Sequence, residues 1–289
     1  MLDMLPQQLV NGLTLGSTYA LIALGLTLVF GVLLIPNFAH GELYMLGAFS
    51  TYALVGAGVN FWLAVVIATV IVIALGIVLD RVVFQPLDHS SSLSLMIAAL
   101  AASIILQQTA TIIWGSEPRT TPSPIPGVLR MAGFSIAYFQ IFVIALTLAA
   151  WGGVWLVLNR SRLGLAIRAV AQNKGAAQLM GIELRDVRLA TFAIGALLGG
   201  LGGAILSANF PVYPTMGINP VLKAFVVLVL GGIGNLWGAI LGGLLLGIVE
   251  VMVAGYISSQ LQDVGTFLIL VLVLLLRPQG LFGRVVLER

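Results

Sequence analysis

The residues of this 289-residue chain that could do chemistry are concentrated in one short stretch, IPNFAHGELYMLG at positions 35–47. It sets a proline, an asparagine, a histidine and a glutamate between two long apolar runs. His40 and Glu42 are two residues apart, which on a helix directs them to different faces, so they make a poor metal pair. Cysteine is absent, the only other histidine is His89, and the ten carboxylates are scattered. The sequence therefore predicts no catalytic residue, no metal site and no enzyme.

Glu42 has two interpretations. An ionisable side chain at the centre of a bilayer costs about 2.5–3.5 kcal/mol, so it needs a compensating environment. The stretch PNFAHGE is either unwound backbone that lines a water-filled pathway, or a short turn in which Pro36 ends one helix and Asn37 caps the next. The residues alone leave both open. Glu250, the other carboxylate within an apolar run, is interpreted as a structural glutamate near a helix end.

The composition defines the fold class. Hydrophobic residues make up 60% of the chain and charged residues 8%, whereas a soluble domain carries about 25% charge. Apolar stretches of membrane-spanning length recur along the chain. We therefore predict an all-α, polytopic transmembrane bundle of eight or nine spans with broken helices, forming one domain over 1–289 without a removable signal peptide. The predicted spans are 8–34, 42–58, 61–79, 93–113, 138–158, 189–208, 221–233, 236–254 and 261–276.

The distribution of charge predicts the orientation. Six of the 13 lysine and arginine residues lie in 159–188, and further arginines lie in the C-terminal tail. The positive-inside rule therefore places both segments in the cytoplasm. Counting crossings backward makes the N-terminus external and 114–137 an external loop. Four prolines in that loop exclude a regular helix.

The basic segment 159–188 is rich in helix-forming residues and carries Leu163, Ile167 and Val170 at helical spacing. Short amphipathic helices along the membrane surface would fit this pattern, and their exposed face could dock a soluble partner. Attraction to anionic lipid headgroups explains the same charges. The residues do not decide between the two.

Glycines recur at four-residue spacing in three of the predicted spans. This spacing produces a flat ridge on which another helix packs closely. We expect the contacts to lie within the subunit, and a dimer interface is the lesser alternative. The predicted packing residues are Gly199, Gly203, Gly238 and Gly242.

Four stretches in this order carry a resemblance to a known family: NGLTLGSTYALIALGLTLVFGVLLIPNFAHGELYMLGAF, GLAIRAVAQNKGAAQLMGI, VLVLGGIGNLWGAILGGLLLG and RPQGLFG. Together they resemble the permease subunits of bacterial branched-chain amino acid importers, which belong to the ATP-binding cassette class. The resemblance covers essentially the whole chain.

The resemblance implies a multi-pass protein of the bacterial cytoplasmic membrane, in contact with lipid and not with nucleic acid. It implies a second permease subunit (a paralogue or a second copy), two cytoplasmic ATPases that bind the ATP, and an external solute-binding protein that delivers the amino acid. No cofactor is implied for this chain. The substrate pathway or its gate is expected near Asn37, His40, Glu42 and Asn235.

The resemblance also makes 159–188 the segment that couples to the ATPase. The residues expected to carry the coupling are Arg168, Ala169, Asn173, Ala176, Ala177 and Gly181. Importers in general have a Glu-Ala-Ala signature in this loop, but here Arg168-Ala169-Val170 stands in the nearest place. The missing glutamate separates this chain from the general pattern at the level of single residues.

Three alternatives remain at the level of sequence. Related permeases of the same family carry urea and short-chain amides. A self-sufficient secondary transporter would need its own ion-coupling carboxylates, and two intramembrane glutamates make that conceivable. A passive channel for small neutral solutes would need no energy coupling.

Overall fold

The computed structural model describes residues 5–88, 90–131 and 134–283, so His89 and the C-terminal arginines 284 and 289 lie outside it. Eleven α-helices and one β-hairpin make up its regular structure in this part of the chain. The helices are α1 (Leu5–Leu33), α2 (His40–Gly56), α3 (Phe61–Leu79), α4 (Ser92–Trp114), α5 (Tyr138–Arg160), α6 (Arg162–Gln172), α7 (Lys174–Leu179), α8 (Leu184–Leu206), α9 (Ile218–Gly231), α10 (Leu236–Tyr256) and α11 (Gln262–Leu276).

Each of the nine predicted spans corresponds to one helix, which confirms the polytopic helical bundle. Among the described residues, seven apolar helical segments of at least 18 residues can cross a membrane by length and composition, with the 3₁₀ turn Ser259–Leu261 and α11 counted together as Ser259–Leu276. The exceptions are α2, with 17 residues, and α9, with 14. At 1.5 Å per residue they extend about 25 and 21 Å, less than the roughly 30 Å of a hydrocarbon core. Both therefore fit the prediction of broken helices.

Helix α1 is the centre of the bundle. It packs against α10, α8, α9 and α5, and its side chains are buried almost continuously from Gly16 to Val29. Gly12 and Gly16 lie directly against the α10 backbone at Ile248 and Leu244. Small residues allow this close approach, and dispersion contacts then stabilise the pair where lipid removes the hydrophobic driving force.

The chain breaks sharply between α1 and α2. Leu34 has a left-handed backbone, with φ of 59°, a conformation that costs a residue with a Cβ roughly 1–2 kcal/mol. Pro36 follows, and proline soon after a helix end is common because it cannot continue the helix. The peptide then turns into α2 with Ala39 at the N-cap position and no side-chain cap bond. The structure therefore gives Asn37 no role in capping α2.

Two ends of the bundle are distinct in chemistry. Residues 115–127 are irregular, as the prolines predict, and lead into a hairpin of β1 (Val128–Met131) and β2 (Phe134–Ala137), which was not predicted. Gln7 at the start of α1 hydrogen-bonds to Ser135 of that hairpin. The opposite end of α5 leads into α6 and α7, where Lys174 approaches the Leu33 carbonyl at the other end of α1. We call these the hairpin end and the α6–α7 end.

Candidate functional site: the helix break, a tyrosine-lined cavity and two charge clusters

His40 lies in the first turn of α2 and is fully buried among glycines. A Cβ added to Gly25 of α1 would lie 2.8 Å from the imidazole, and one added to Gly199 of α8 would lie 3.3 Å from it. Neither ring nitrogen makes a hydrogen bond of good geometry within the described chain, although the Ile22 backbone lies within electrostatic reach. The ring therefore fills a gap between three helices and keeps unused hydrogen-bonding capacity.

Glu42 points away from His40, toward α4. Its Oε1 atom accepts hydrogen bonds from Ser103 Oγ and from Gln107 Nε2, each at 2.8 Å. Its Oε2 atom is buried and has no partner among the described residues. Because Ser103 and Gln107 are one helical turn apart, they form a polar stripe on α4 that meets this carboxylate.

Asn37 and Asn235 lie in different surroundings. Asn37 is buried in the helix break, and its side-chain amide has no partner in the part of the chain that the structure describes. Asn235 is the N-cap of α10, where Oδ1 accepts from the backbone of Trp237 and Gly238 and Nδ2 donates to the Phe282 carbonyl. The structure thus brings Asn37, His40 and Glu42 to one break but gives them different partners, and Asn235 serves the α9–α10 turn.

A cavity of about 310 Å³ lies on the hairpin side of this break. Three tyrosines line it, so we call it the tyrosine cavity. Asn219 and Pro220 in the first turn of α9 form part of the wall, and the segment before α9 is bridged to the loop 115–127 through Arg119 and Val212. The complete lining is Leu15, Thr18, Tyr19, Tyr44, Phe210, Pro211, Tyr213, Met216, Asn219, Pro220 and Gln262.

A charge cluster with two buried members, Lys223 and Glu250, and one exposed member, Asp263, adjoins this cavity. Lys223 of α9 forms an ion pair with Glu250 of α10, a second one at 2.7 Å with Asp263 of α11, and a hydrogen bond at 3.0 Å to Thr266. Glu250 is completely buried and lies in the interior of α10, so its interpretation as a glutamate near a helix end is wrong. Tyr19, which lines the cavity, also interacts with Glu250.

The sequence analysis missed Lys223 as a functional candidate. The sequence did carry a signal, because a lysine in the apolar run VLKAFVVLVL, three residues after Pro220, is unexpected at membrane depth. Its partner Glu250 is 27 positions away, and no periodicity in the sequence pairs two helices. The cluster could therefore be found only once the packing of α9 against α10 was known.

A second charge cluster joins α8 to the end of α3. Arg188 donates from Nε to Asp80 at 2.7 Å and from Nη1 to Asp88 at 2.6 Å. Asp80 opens a π-helical turn, Asp80–Phe84, that continues α3. Arg188 lies near the start of α8, so these two ion pairs tie the start of α8 to the α3–α4 connection.

The segment predicted to couple to an ATPase forms α6 and α7, which matches the predicted short helices. Arg168 turns back to donate to the Leu158 carbonyl at the end of α5, and Ala177 is buried. Asn173 ends α6 and caps α7 through the Ala176 amide.

Beyond α7 the chain presents two exposed apolar side chains. Leu179 and Met180 are 90% and 83% exposed, and Gly181 follows with φ of 82°. The chain thus turns at Gly181 immediately after this pair.

The four predicted packing glycines all lie at helix contacts within the chain. Gly199 and Gly203 of α8 face α2, the first against the His40 ring and the second against the Tyr44 carbonyl. Gly238 and Gly242 of α10 face α9. A side chain at Gly203 or Gly238 would overlap the backbone of the neighbouring helix.

This arrangement suits movement of a solute. No group of three or more acidic, histidine or cysteine side chains able to hold a metal exists in the described ranges. Buried polar groups with unused hydrogen-bonding capacity, a discontinuous helix and a cavity beside it are typical of transport proteins, where irregular backbone at membrane depth lines a pathway. The fold and the site define a multi-pass membrane transport protein.

Comparison with known proteins identifies the family. The family model for the branched-chain amino acid transport system permease component matches residues 8–276. The high-affinity branched-chain amino acid transport system permease protein BraD of Pseudomonas aeruginosa is 40% identical, over 98% of this chain and 97% of its own. The corresponding LivH protein of Escherichia coli K12 is 39% identical over the same shares. The chain therefore belongs to the family of branched-chain amino acid transport system permease components, which are transport subunits and not enzymes.

More distant similarity extends to a second permease of the same system. LivM of Escherichia coli K12 is 26% identical over 93% of this chain and 68% of its own length. No solved structure matches.

Proposed function

We propose that this chain is the membrane-embedded permease subunit of an ATP-binding cassette importer and forms the pathway for branched-chain amino acids delivered by an external binding protein. The observation that carries the proposal is the 40% identity to BraD across 98% of the chain. The helix break, the buried Asn37, His40 and Glu42, and the adjacent cavity support a pathway through this subunit. Asn235, at the α9–α10 turn, is proposed to hold the gate in shape at the α6–α7 end.

The proposed assembly has two permease subunits, two ATPases and the binding protein. The likeness to LivM supports a paralogous second permease, since both proteins then share one architecture. The ATPase is proposed to dock on the α6–α7 segment, where Asn173, Ala176 and Gly181 are exposed beside Leu179 and Met180. Arg168, Ala169 and Ala177 are proposed to support this surface from within. ATP is bound and hydrolysed by the partner subunits.

The proposed location is the bacterial cytoplasmic membrane. The basic α6–α7 end and the C-terminus are assigned to the cytoplasm, and the N-terminus and the hairpin end to the outside. The separation of the two ends by α5, a 23-residue helix about 35 Å long, supports this assignment. The external binding protein then meets the side on which the tyrosine cavity lies.

Uptake of labelled leucine by host cells with and without the gene tests this function. Excess isoleucine, valine, glutamate, urea or acetamide is added as competitor at low leucine concentration. In a host that lacks other leucine importers, we expect the deletion to abolish uptake and the branched-chain amino acids alone to compete. Unchanged leucine uptake in that host, or competition by urea or acetamide, would overturn the proposed substrate.

The gate is tested separately with Glu42→Gln and Asn235→Ala. Both are expected to reduce uptake and coupled ATP hydrolysis at normal protein level. If both variants retain the two activities, these residues have no role in the pathway.

A further inference from the structure

We infer that the tyrosine cavity is a binding site for an aliphatic α-amino acid zwitterion, with the ammonium group toward Tyr19 and Glu250 and the carboxylate toward the start of α9. The inference rests on the proposed function and adds the location of the site, the orientation of the ligand and the residues that recognise it.

The cavity has the size and composition of a small-ligand site. Its volume of about 310 Å³ falls at the lower end of the range for ligand pockets, roughly 300–1,000 Å³. Leu15, Phe210 and Met216 form an apolar part suited to a branched aliphatic side chain, whereas Thr18, Asn219 and Gln262 supply polar groups. A largely apolar wall with a few convergent polar groups is the usual form of such sites.

Tyr44 adds a polar group to the cavity wall. As a residue it is 3% exposed, and it lines the cavity together with Tyr213, whose phenol lies within electrostatic reach of it. A phenol can both donate and accept a hydrogen bond, so either charged group of a bound zwitterion can pair with it.

The charge behind the cavity favours a cation. Lys223 and Glu250 are buried and carry opposite charges, and Asp263, whose side chain is 71% exposed, adds a second negative charge, so the cluster has a formal net charge of −1. The Oε2 atom of Glu250 is buried and unpaired in the described structure. Tyr19 lines the cavity and interacts with Glu250. A tyrosine hydroxyl that donates to a carboxylate still has lone pairs to accept a hydrogen bond from a bound ammonium.

The opposite wall favours an anion. Asn219 and Pro220 line the cavity in the first turn of α9, a helix of 14 residues. The positive end of the helix dipole stabilises a carboxylate there, and the Asn219 amide can donate to it. An α-amino acid carries both charges within a few ångströms, so a site with a negative wall and a positive wall selects it over an amine or a carboxylic acid of the same shape.

Cysteine labelling tests the site without depending on transport. Because this chain contains no cysteine, Thr18→Cys places the one thiol of the permease chain in the cavity wall and leaves the rest of the importer intact. A cationic methanethiosulfonate reagent is expected to react about tenfold faster than an anionic reagent of the same size, since a negative cleft concentrates cations. Leucine should slow the reaction. Ser123→Cys, in the exposed loop 115–127, is the matched control and should show neither effect.

Glu250→Gln then tests the source of the charge. This variant preserves the side-chain volume and removes the net charge of the cluster, so the preference of Thr18→Cys for the cationic reagent should fall to that of the control. The reconstituted importer with Glu250→Gln should lose about tenfold or more of its maximal leucine uptake rate. Its KM should remain within about twofold, because the external binding protein captures the substrate first. Glu117→Gln, an exposed glutamate in the hairpin-end loop, should leave both quantities unchanged.

The outcomes separate the two proposals. If the wild-type importer takes up leucine but Thr18→Cys shows no charge preference and no protection, the site lies elsewhere and the proposed function stands. If the wild-type importer does not take up leucine, the proposed substrate is wrong, and protection by other zwitterions then decides whether the cavity is an amino acid site. If Glu250→Gln does not fold, Tyr19→Phe is tested in its place, because it leaves the ion pairs intact. Tyr19→Phe should reduce the protection of Thr18→Cys by leucine.

Discussion

At the scale of single residues, Glu42 has a structural role in holding α4 and a proposed role in transport, and two substitutions separate them. Its Oε1 atom holds Ser103 and Gln107 of α4, whereas its Oε2 atom is unpartnered within the described chain. Glu42→Gln retains an acceptor oxygen for α4 and removes the charge. Glu42→Leu removes the acceptor as well.

We therefore expect Glu42→Leu to lower the midpoint of thermal unfolding of the detergent-solubilised protein, and Glu42→Gln to leave it nearly unchanged. Hydrogen bonds between membrane helices contribute about 0.6 kcal/mol on average and up to about 1.7 kcal/mol, and Glu42→Leu removes two of them. Both variants should reduce uptake. An equal fall in the midpoint for both would mean that the charge itself, and not the acceptor, holds α4 in place.

At the scale of elements, the closest helix contact that a glycine makes possible joins α8 to α2. A Cβ at Gly203 would overlap the Tyr44 carbonyl oxygen, which is backbone and cannot rotate away. Gly153 of α5 has the opposite environment, since a Cβ there meets no atom of this chain within 4 Å. The two glycines are thus a matched pair for the same substitution.

We expect Gly203→Ala to separate α2 from α8 and to reduce the amount of folded protein severely, because overpacking costs about 1–3 kcal/mol even where side chains can adjust. Gly153→Ala should be neutral or slightly stabilising, since alanine is about 1 kcal/mol better than glycine in a helix. The midpoint of thermal unfolding and the yield of the monodisperse complex measure both effects. If Gly203→Ala folds as well as the wild type, the contact between α8 and the Tyr44 carbonyl of α2 does not limit the packing of the two helices.

The tie between α8 and the α3 turn gives a second prediction at this scale. Asp80 and Asp88 share Arg188, but the Asp80 side chain is 6% exposed and that of Asp88 is 52% exposed. Breaking a buried pair costs about 3–5 kcal/mol, because the remaining charge is left without compensation, whereas an exposed pair contributes about 0–1 kcal/mol.

Arg188→Met should therefore destabilise the protein strongly, and Asp88→Asn only slightly. The double variant Arg188→Met with Asp80→Asn should lose less stability than Arg188→Met alone, because Asn removes the uncompensated charge. Thermal unfolding of the three variants completes the comparison. If the double variant is the least stable of the three, Arg188 stabilises the fold through its packing on Phe192 and not through Asp80.

At the scale of the whole molecule, the sequence determines the elements far better than their partners. Pro36 indicated the end of α1, the four prolines excluded a helix over 114–137, and hydropathy located all nine apolar helices. Each of these features is determined by residues that are close together in the sequence, so it can be predicted without knowing which helices meet. The hairpin was missed because two four-residue strands in a polar loop carry no clear alternation.

The contacts that make the site depend on which helices meet. Glu42 faces α4 and not His40, Lys223 meets Glu250, and the three cavity tyrosines come from α1, α2 and the segment before α9. Periodicity gives the face of a helix but not its neighbour. A lysine or glutamate in an apolar run is the one signal that would have directed attention to the cluster of Lys223 and Glu250.

The exposed pair Leu179 and Met180 supports the last prediction, which concerns the assembly. Both side chains are almost completely exposed at the α6–α7 end, beside a turn at Gly181. Two apolar side chains in this position are suited to a groove on a soluble partner, because docking removes them from water. Because so little of either side chain is buried, their replacement should preserve folding.

We expect Leu179→Ser combined with Met180→Ser to leave the permease folded in the membrane and to weaken its association with the ATPase subunits by about tenfold or more. Loss of the two buried side chains corresponds to about 1.5–3 kcal/mol each, and 1.4 kcal/mol is a tenfold change in affinity. Co-purification of the ATPase and ATP hydrolysis stimulated by the binding protein measure the effect. Met180→Leu, which keeps the apolar surface, is the control and should behave as wild type. Normal co-purification of the double serine variant would place the ATPase contact on another part of the α6–α7 end.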